Sequence, residues 1–167
     1  MKNIFYCILV LIFTGCNSES SWDCIQNAGT IVQNEVTVPP FTKILVWERT
    51  KVFIQTGESL MNDVEVTVTD GRLEIHNNNS CNLVRDYEIT KVYITSPNIT
   101  EIRSSTGYLI ESIGVLRYPS LTLLSEDQQN EDQYHIDGDF KLNLDVQSLS
   151  VVANGLSKFY IKGSAAN

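Results

Sequence analysis

From Val36 onward the sequence is a series of short apolar segments separated by turn residues. Residues 64–68 and 72–76 alternate apolar and polar side chains and flank Asp70-Gly71, a pattern typical of a β-hairpin. Residues 43–47 and 51–54 are further candidate strands. The chain contains 15 Val and 16 Ile but only 4 Ala, and no segment has the 3.6-residue periodicity of an amphipathic helix. The sequence therefore predicts an all-β fold.

Three sets of similar segments follow one another after Thr90. Residues 98–104, 120–126 and 148–154 form the first set, with starts that are 22 and then 28 residues apart; residues 108–110, 134–136 and 159–161 form the second; residues 92–94, 115–116 and 142–144 form the third. About three short strands per turn, with a period near 25 residues, indicate a parallel β-solenoid whose coils stack to bury their apolar side chains. An antiparallel β-sandwich is the alternative fold.

Five segments carry a resemblance to a known family. They are Asp23-Cys24, residues 41–44, residues 81–87, residues 99–105 and residues 121–124. Together they resemble the DUF2807 family, also called the auto-transporter adhesin, head GIN domain family. The resemblance implies a right-handed parallel β-helix-like domain, commonly found on exported bacterial lipoproteins. It brings no binding residues that could be assigned to this chain.

Residues 1–15 have the pattern of a lipoprotein signal peptide. Lys2 precedes ten apolar residues, 4–13, which are too few to cross a membrane as a helix. Residues 13–16 resemble a lipobox, in which cleavage before Cys16 accompanies diacylation of its sulfur. Two or three acyl chains would anchor the protein firmly, and the absence of Asp or a basic patch after Cys16 favours the outer membrane. Plain secretion, with Cys16 as an ordinary thiol, is the alternative.

Two cysteines remain after the signal peptide is removed and Cys16 is lipidated. Cys24 and Cys81 form an even pair in an oxidising compartment, so we expect a disulfide between them. A bond closing such a long loop stabilises a protein by about 4 kcal/mol in the chain-entropy model. Residues 16–35 would then be a tether and a disulfide-linked segment ahead of a solenoid domain at 36–167. Two free thiols are the alternative.

Charge and motif content exclude several classes of protein. A net charge of −8 and a pI near 4.7 argue against nucleic-acid binding, which needs a basic surface. The chain has no recognised catalytic or phosphate-binding motif. Its only histidines, His76 and His135, are not at metal-ligand spacing from a cysteine. We therefore expect a non-enzyme with no cofactor and no metal.

Acidic and aromatic residues are the remaining candidate sites. The acidic residues that crowd one region are Glu126, Asp127, Glu131, Asp132, Asp137 and Asp139. They are interpreted as a solvated loop and turn, whereas a polysaccharide lyase or hydrolase would use them as Ca²⁺ ligands or paired carboxylates. Tyr108, Tyr134 and Phe159 share one repeat position and are interpreted as an inward packing ladder rather than a sugar-binding platform. Glu101 and Arg103 are expected on a solvated strand face.

These observations predict a non-catalytic, lipid-anchored protein of the cell envelope, on its periplasmic or surface side. Its partners would be the membrane, through the N-terminal lipid, and a glycan or protein bound to the side of the solenoid. A carbohydrate-active β-helix enzyme and a purely structural envelope protein are the two alternatives. Solenoids need their ends covered, and no capping segment is evident after the last predicted strand.

Overall fold

The computed structural model describes residues 25–46, 56–79, 83–84, 86, 89–126 and 136–166. Its strands are β1 (Ile31–Val32), β2 (Lys43–Val46), β3 (Thr56–Gly57), β4 (Val64–Thr69), β5 (Arg72–Asn77), β6 (Glu101–Ser104), β7 (Ile110–Ser125), β8 (Phe140–Ala153) and β9 (Phe159–Ala165). A short 3₁₀ helix, Glu58–Asp63, connects β3 to β4. No helix in these ranges is long and apolar enough to span a membrane. The all-β prediction is confirmed.

One seven-stranded sheet, in the order β4-β5-β2-β6-β7-β8-β9, dominates the structure. All of its pairings are parallel except that of β4 with β5, and a separate small sheet pairs β1 with β3. A mostly parallel sheet is what the predicted solenoid requires and what an antiparallel sandwich does not contain. Because the described sheet is not closed, its winding into coils stays a prediction.

The β4–β5 hairpin matches its sequence signal. Asp70 and Gly71 both have positive φ angles, 50° and 71°, as a two-residue type I′ turn requires. The strands that they join cover the predicted segments 64–68 and 72–76. The predicted strand at 43–47 corresponds to β2, whereas the predicted strand at 51–54 lies outside the described residues.

The core is built by the inward face of the sheet. Side chains alternate between the two faces of a strand, so Ile44 and Val46 on β2 lie beside Leu73 and Ile75 on β5. The same face continues across the sheet with Ile102, Leu121, Leu123, Phe140, Leu142, Leu144 and Val146, all of them buried. Parallel strands that repeat the same inward positions therefore stack aliphatic side chains in rows.

The first predicted repeat set is right at one step and wrong by one residue at the other. Ser120 pairs with Ser148 and Leu121 with Leu149, as the 28-residue offset requires. Ile102, however, pairs with Leu123 at an offset of 21 residues, not 22. The buried Ile99 is three residues before Ile102, whereas Leu121 is only two before Leu123, so the first segment holds one extra residue.

The second predicted repeat set is wrong where it can be checked. Phe140, rather than Ile136 or its neighbours, pairs with both Ile110 and Phe159. The linker before β8 is long and the one before β9 is short, so the true spacings are 30 and 19 residues rather than a regular 25 or 26. The third set fares better, since Val115 and Leu116 pair with Asn143 and Leu144.

Buried hydroxyl groups mark the corner where three chain segments meet. Ser104, Thr106 and Ser125 are fully buried. The Ser104 hydroxyl donates to the Thr106 carbonyl, and Ser125 Oγ lies 2.5 Å from Ser157 Oγ. The Ser157 hydroxyl also bonds to the carbonyl of Ile136 at 3.1 Å. These bonds satisfy polar groups that would otherwise be costly to bury.

Two glycines allow the segments at this corner to approach one another. A Cβ atom on Gly138 would lie 1.9 Å from the carbonyl oxygen of Thr106, and one on Gly155 would lie 2.3 Å from that of Ile136. We call residues 104–106, 136–138 and 155–157 the glycine corner. Backbone packs directly on backbone there, which leaves no room for a side chain.

Candidate binding groove

A groove of about 480 Å³ opens between residues 93–99 and the first half of β7. Its lining includes the buried aliphatic side chains Ile44, Ile99, Ile102, Ile110 and Leu142, which belong to the core face of the sheet. Tyr93, Ile113 and Val115 stand at its mouth and are 45%, 71% and 37% exposed. An apolar floor with exposed aromatic and aliphatic edges is typical of a site for a ligand that has an apolar face.

Two cross-strand ion pairs flank the groove. The Glu111 carboxylate lies 2.6 Å from the Lys141 ammonium group, and the Arg117 guanidinium lies 3.4 Å from the Asp145 carboxylate. In each pair, β7 supplies one residue and β8 the residue opposite it. The four side chains are 39% to 70% exposed, and exposed pairs of this kind contribute less than about 1 kcal/mol. They offer hydrogen-bonding groups to a ligand without being needed for the fold.

Tyr118 is a buried ionisable group in the groove wall. Burial raises the pKa of its phenol above the ordinary value of 10.0. The folded protein therefore holds the phenolic proton at pH values where the unfolded chain has begun to lose it. Tyr118 thus contributes a stability that is complete below its ordinary pKa and is lost as the pH rises through and above that value.

We expect Tyr118→Phe to lose less stability than the wild type between about pH 9 and about pH 11, because Phe carries no proton to release. Urea unfolding of both proteins at the two pH values measures the difference. The other tyrosines and the lysines titrate equally in both proteins, so they cancel in the comparison. An identical alkaline loss in the two proteins would contradict the prediction.

The described acidic residues have separate partners and do not form a common site. Asp139 Oδ1 accepts the backbone N–H of Lys158 at 2.9 Å and fixes the turn that precedes β9, whereas Asp137 is exposed. Glu126 lies 3.6 Å from the guanidinium of Arg103. Asp127, Glu131 and Asp132 lie outside the described ranges, and within those ranges no three His, Cys, Asp or Glu residues could hold a metal ion.

The predicted solvated face on β6 is wrong. Glu101 lies 2.7 Å from Arg72, and Arg103 lies beside Glu126, with side chains only 15% to 24% exposed. The reason is that β6 lies inside the sheet, between β2 and β7, so its outward side chains meet charged residues on neighbouring chain segments. His76 stands on the outward face of β5, 3.6 Å from the Glu74 carboxylate, and His135 lies outside the described residues.

The aromatic contact differs from the one that the sequence predicts. Phe159 stacks on Phe140, with ring centroids 4.9 Å apart and an interplanar angle of 8°. Tyr134 lies outside the described residues, and Tyr108 is half-buried beside the glycine corner. Sequence reasoning missed Phe140, although the alternation of Phe140, Leu142, Leu144 and Val146 is the signal that could have found it.

The remaining predicted site residues cannot be placed. Cys16, Cys24 and Cys81 lie outside the described residues, as does the whole predicted signal peptide. Lipidation of Cys16 and a bond between Cys24 and Cys81 therefore stay predictions.

Comparison with known families identifies the chain. The family described as "DUF2807: Putative auto-transporter adhesin, head GIN domain" matches residues 47–167. The chain belongs to the DUF2807 family. The resemblance seen in the sequence is thereby confirmed, and the adhesin-type family points to a non-catalytic protein outside the cell or in its envelope.

The parallel sheet of this DUF2807 protein is also found in a solved structure. A crystal structure described as "a putative adhesin" from Bacteroides fragilis NCTC 9343 matches it with a TM-score of 0.66 and 18% sequence identity. The match covers 84% of this chain and 66% of the other protein's length. At this identity the likeness shows a common fold. No curated protein matches the sequence.

Proposed function

We propose that this DUF2807 protein is a non-catalytic, lipid-anchored adhesin of the bacterial outer membrane, with a β-solenoid domain that presents a binding surface. The family match over residues 47–167 carries the proposal. The parallel pairing of β7 with β8 along most of their length supports it, because such pairing repeats from coil to coil in a solenoid. The distribution of the described acidic residues among separate partners gives no support to the alternative of a carbohydrate-active enzyme.

Lipidation of Cys16 can be tested directly. Cells fed a radioactive fatty acid should label the wild-type protein and leave Cys16→Ala unlabelled, because that variant lacks the acceptor sulfur. Cys7→Ala is the matched control, since Cys7 lies in the signal segment and its loss should leave the label unchanged. Equal labelling of Cys16→Ala and the wild type would exclude the lipid anchor.

The disulfide between Cys24 and Cys81 is tested by alkylation without reductant. A closed bond protects both thiols, so we expect modification only after reduction. A mass increase on both cysteines without reductant would show free thiols instead.

The groove flanked by the two ion pairs is the binding surface that we propose, and we propose a glycan as its ligand. One face of a sugar ring is made of C–H groups that can lie on the Tyr93 ring and the aliphatic floor. The hydroxyl groups at the ring edge can then bond to Glu111, Lys141, Arg117 or Asp145. Water-exposed charged groups next to an apolar floor suit such a two-sided ligand.

A glycan array tests this assignment. We expect Tyr93→Ala to weaken binding of a positive glycan about tenfold, which corresponds to about 1.4 kcal/mol. Leu156→Ala, at a position 81% exposed and outside the groove, is the control and should bind like the wild type. An empty array, or equal loss in both variants, would contradict glycan binding in the groove. Capture of a partner protein through Tyr93 would make that protein the ligand.

A further inference from the structure

The last strand of the sheet, β9, has an open edge and an apolar face that is only partly covered. Within the described part of the chain β9 pairs with β8 alone. Ile161 lies on the same face as the buried Leu142 but is 38% exposed, and Tyr160 on the other face is 55% exposed. Residues 158–165 contain two lysines and no acidic residue or proline. An edge of this kind is a ready template for another strand.

The direction of the backbone groups fixes which residues of β9 can accept that strand. The Lys158 carbonyl accepts the N–H of Phe140 at 2.9 Å, so it points toward β8. Successive residues of a strand direct their backbone groups to opposite sides, and those of Phe159, Ile161 and Gly163 therefore point to the open edge. A second strand must bond to these alternate residues.

We propose that the β9 edge pairs with the β9 edge of a second copy of this chain, antiparallel across a two-fold axis at Ile161. In this register Phe159 of one copy lies opposite Gly163 of the other, and Tyr160 lies opposite Lys162. The aromatic ring covers a residue that has no side chain, and the ammonium group can lie over the Tyr160 ring. A two-fold axis makes each favourable contact occur twice.

Charge selects this register from its neighbours. Moving the axis to Tyr160 places Lys158 opposite Lys162, and moving it to Lys162 places that lysine opposite its own copy. Like charges directly opposite one another destabilise an antiparallel pair. With the axis at Ile161, Lys158 faces Ser164, whose hydroxyl donates to the Asp145 carboxylate at 3.0 Å. The edge is thus complementary to itself in one central register.

Cysteine cross-linking tests the register in the full-length protein. Tyr160 and Lys162 are exposed and would form a directly opposed, non-hydrogen-bonded pair with Cα atoms about 4.5 Å apart, within the range for a disulfide. The same position in the two copies would be about 7–8 Å apart, too far for a bond. Coexpressed Tyr160→Cys and Lys162→Cys chains should therefore cross-link on oxidation, whereas either variant alone should not.

The wild-type chain, oxidised in the same way, controls for the native cysteines, and native mass spectrometry should give it twice the mass of one chain. Cross-linking by Tyr160→Cys alone or by Lys162→Cys alone would place the axis at that residue and overturn the proposal. A wild-type protein with the mass of a single chain would overturn it as well.

Discussion

Gly138→Ala is expected to lower the free energy of unfolding by at least about 2 kcal/mol, because the glycine corner has no space for a methyl group. The added Cβ would lie 1.9 Å from the Thr106 carbonyl oxygen and within 3 Å of Ser104 Oγ and the Tyr108 carbonyl. Two of these three atoms belong to the backbone, so they cannot move aside by a change of rotamer. The segments must separate, which also weakens the buried hydrogen bonds around them.

Gly107→Ala is the matched control for this prediction. Gly107 lies in the adjacent turn, and its added Cβ would approach only the Asp137 carboxylate, at 3.5 Å, which is an ordinary contact. Urea unfolding of both variants measures the difference, and Gly107→Ala should remain within about 0.5 kcal/mol of the wild type. Equal stability of the two variants would mean that the segments do not approach one another as described.

Phe140→Ala is expected to destabilise the protein by about 3–5 kcal/mol, the range for removing a fully buried aromatic ring. Phe140 is completely buried at the start of β8, where its backbone pairs with both Ile110 and Phe159. Removal of the ring leaves a cavity between these strands and ends the stack with Phe159. The loss should appear in urea unfolding as a lower midpoint with an unchanged slope.

Two further variants separate burial from stacking. Phe140→Leu keeps most of the volume, so it should lose clearly less stability than Phe140→Ala. Phe159→Ala removes the same stack from its half-buried side and should also lose less, because less apolar surface leaves the core. If Phe159→Ala cost as much as Phe140→Ala, the stack rather than the buried volume would dominate.

The sequence predicts strands and their faces well because these depend on local alternation. The Asp70-Gly71 hairpin, the core positions of β2 and the pairing of Ser120 with Ser148 all follow from local patterns. Pairing across linkers of unequal length does not, because strand register is set by inward packing and not by a constant sequence interval. This is why Phe140, rather than a residue near Tyr134, is the partner of Phe159.

The groove could not be predicted, because it is formed by segments distant in sequence. Tyr93, Ile113 and Leu142 meet only once β7 and β8 are paired and residues 93–99 lie beside them. The charges on β6 show the same limit. Glu101 and Arg103 look solvated in sequence, yet their partners, Arg72 and Glu126, are distant residues that three-dimensional packing brings together.

The order of strands β6, β7, β8 and β9 in the sheet is also their order along the chain. Each of them contacts mainly the strand before it and the strand after it, so mechanical load applied at the C-terminal end should detach β9 first and then the others in sequence. A cell held to a surface through such a domain would yield in small extensions rather than let go at once. Single-molecule pulling would show this as several low-force steps.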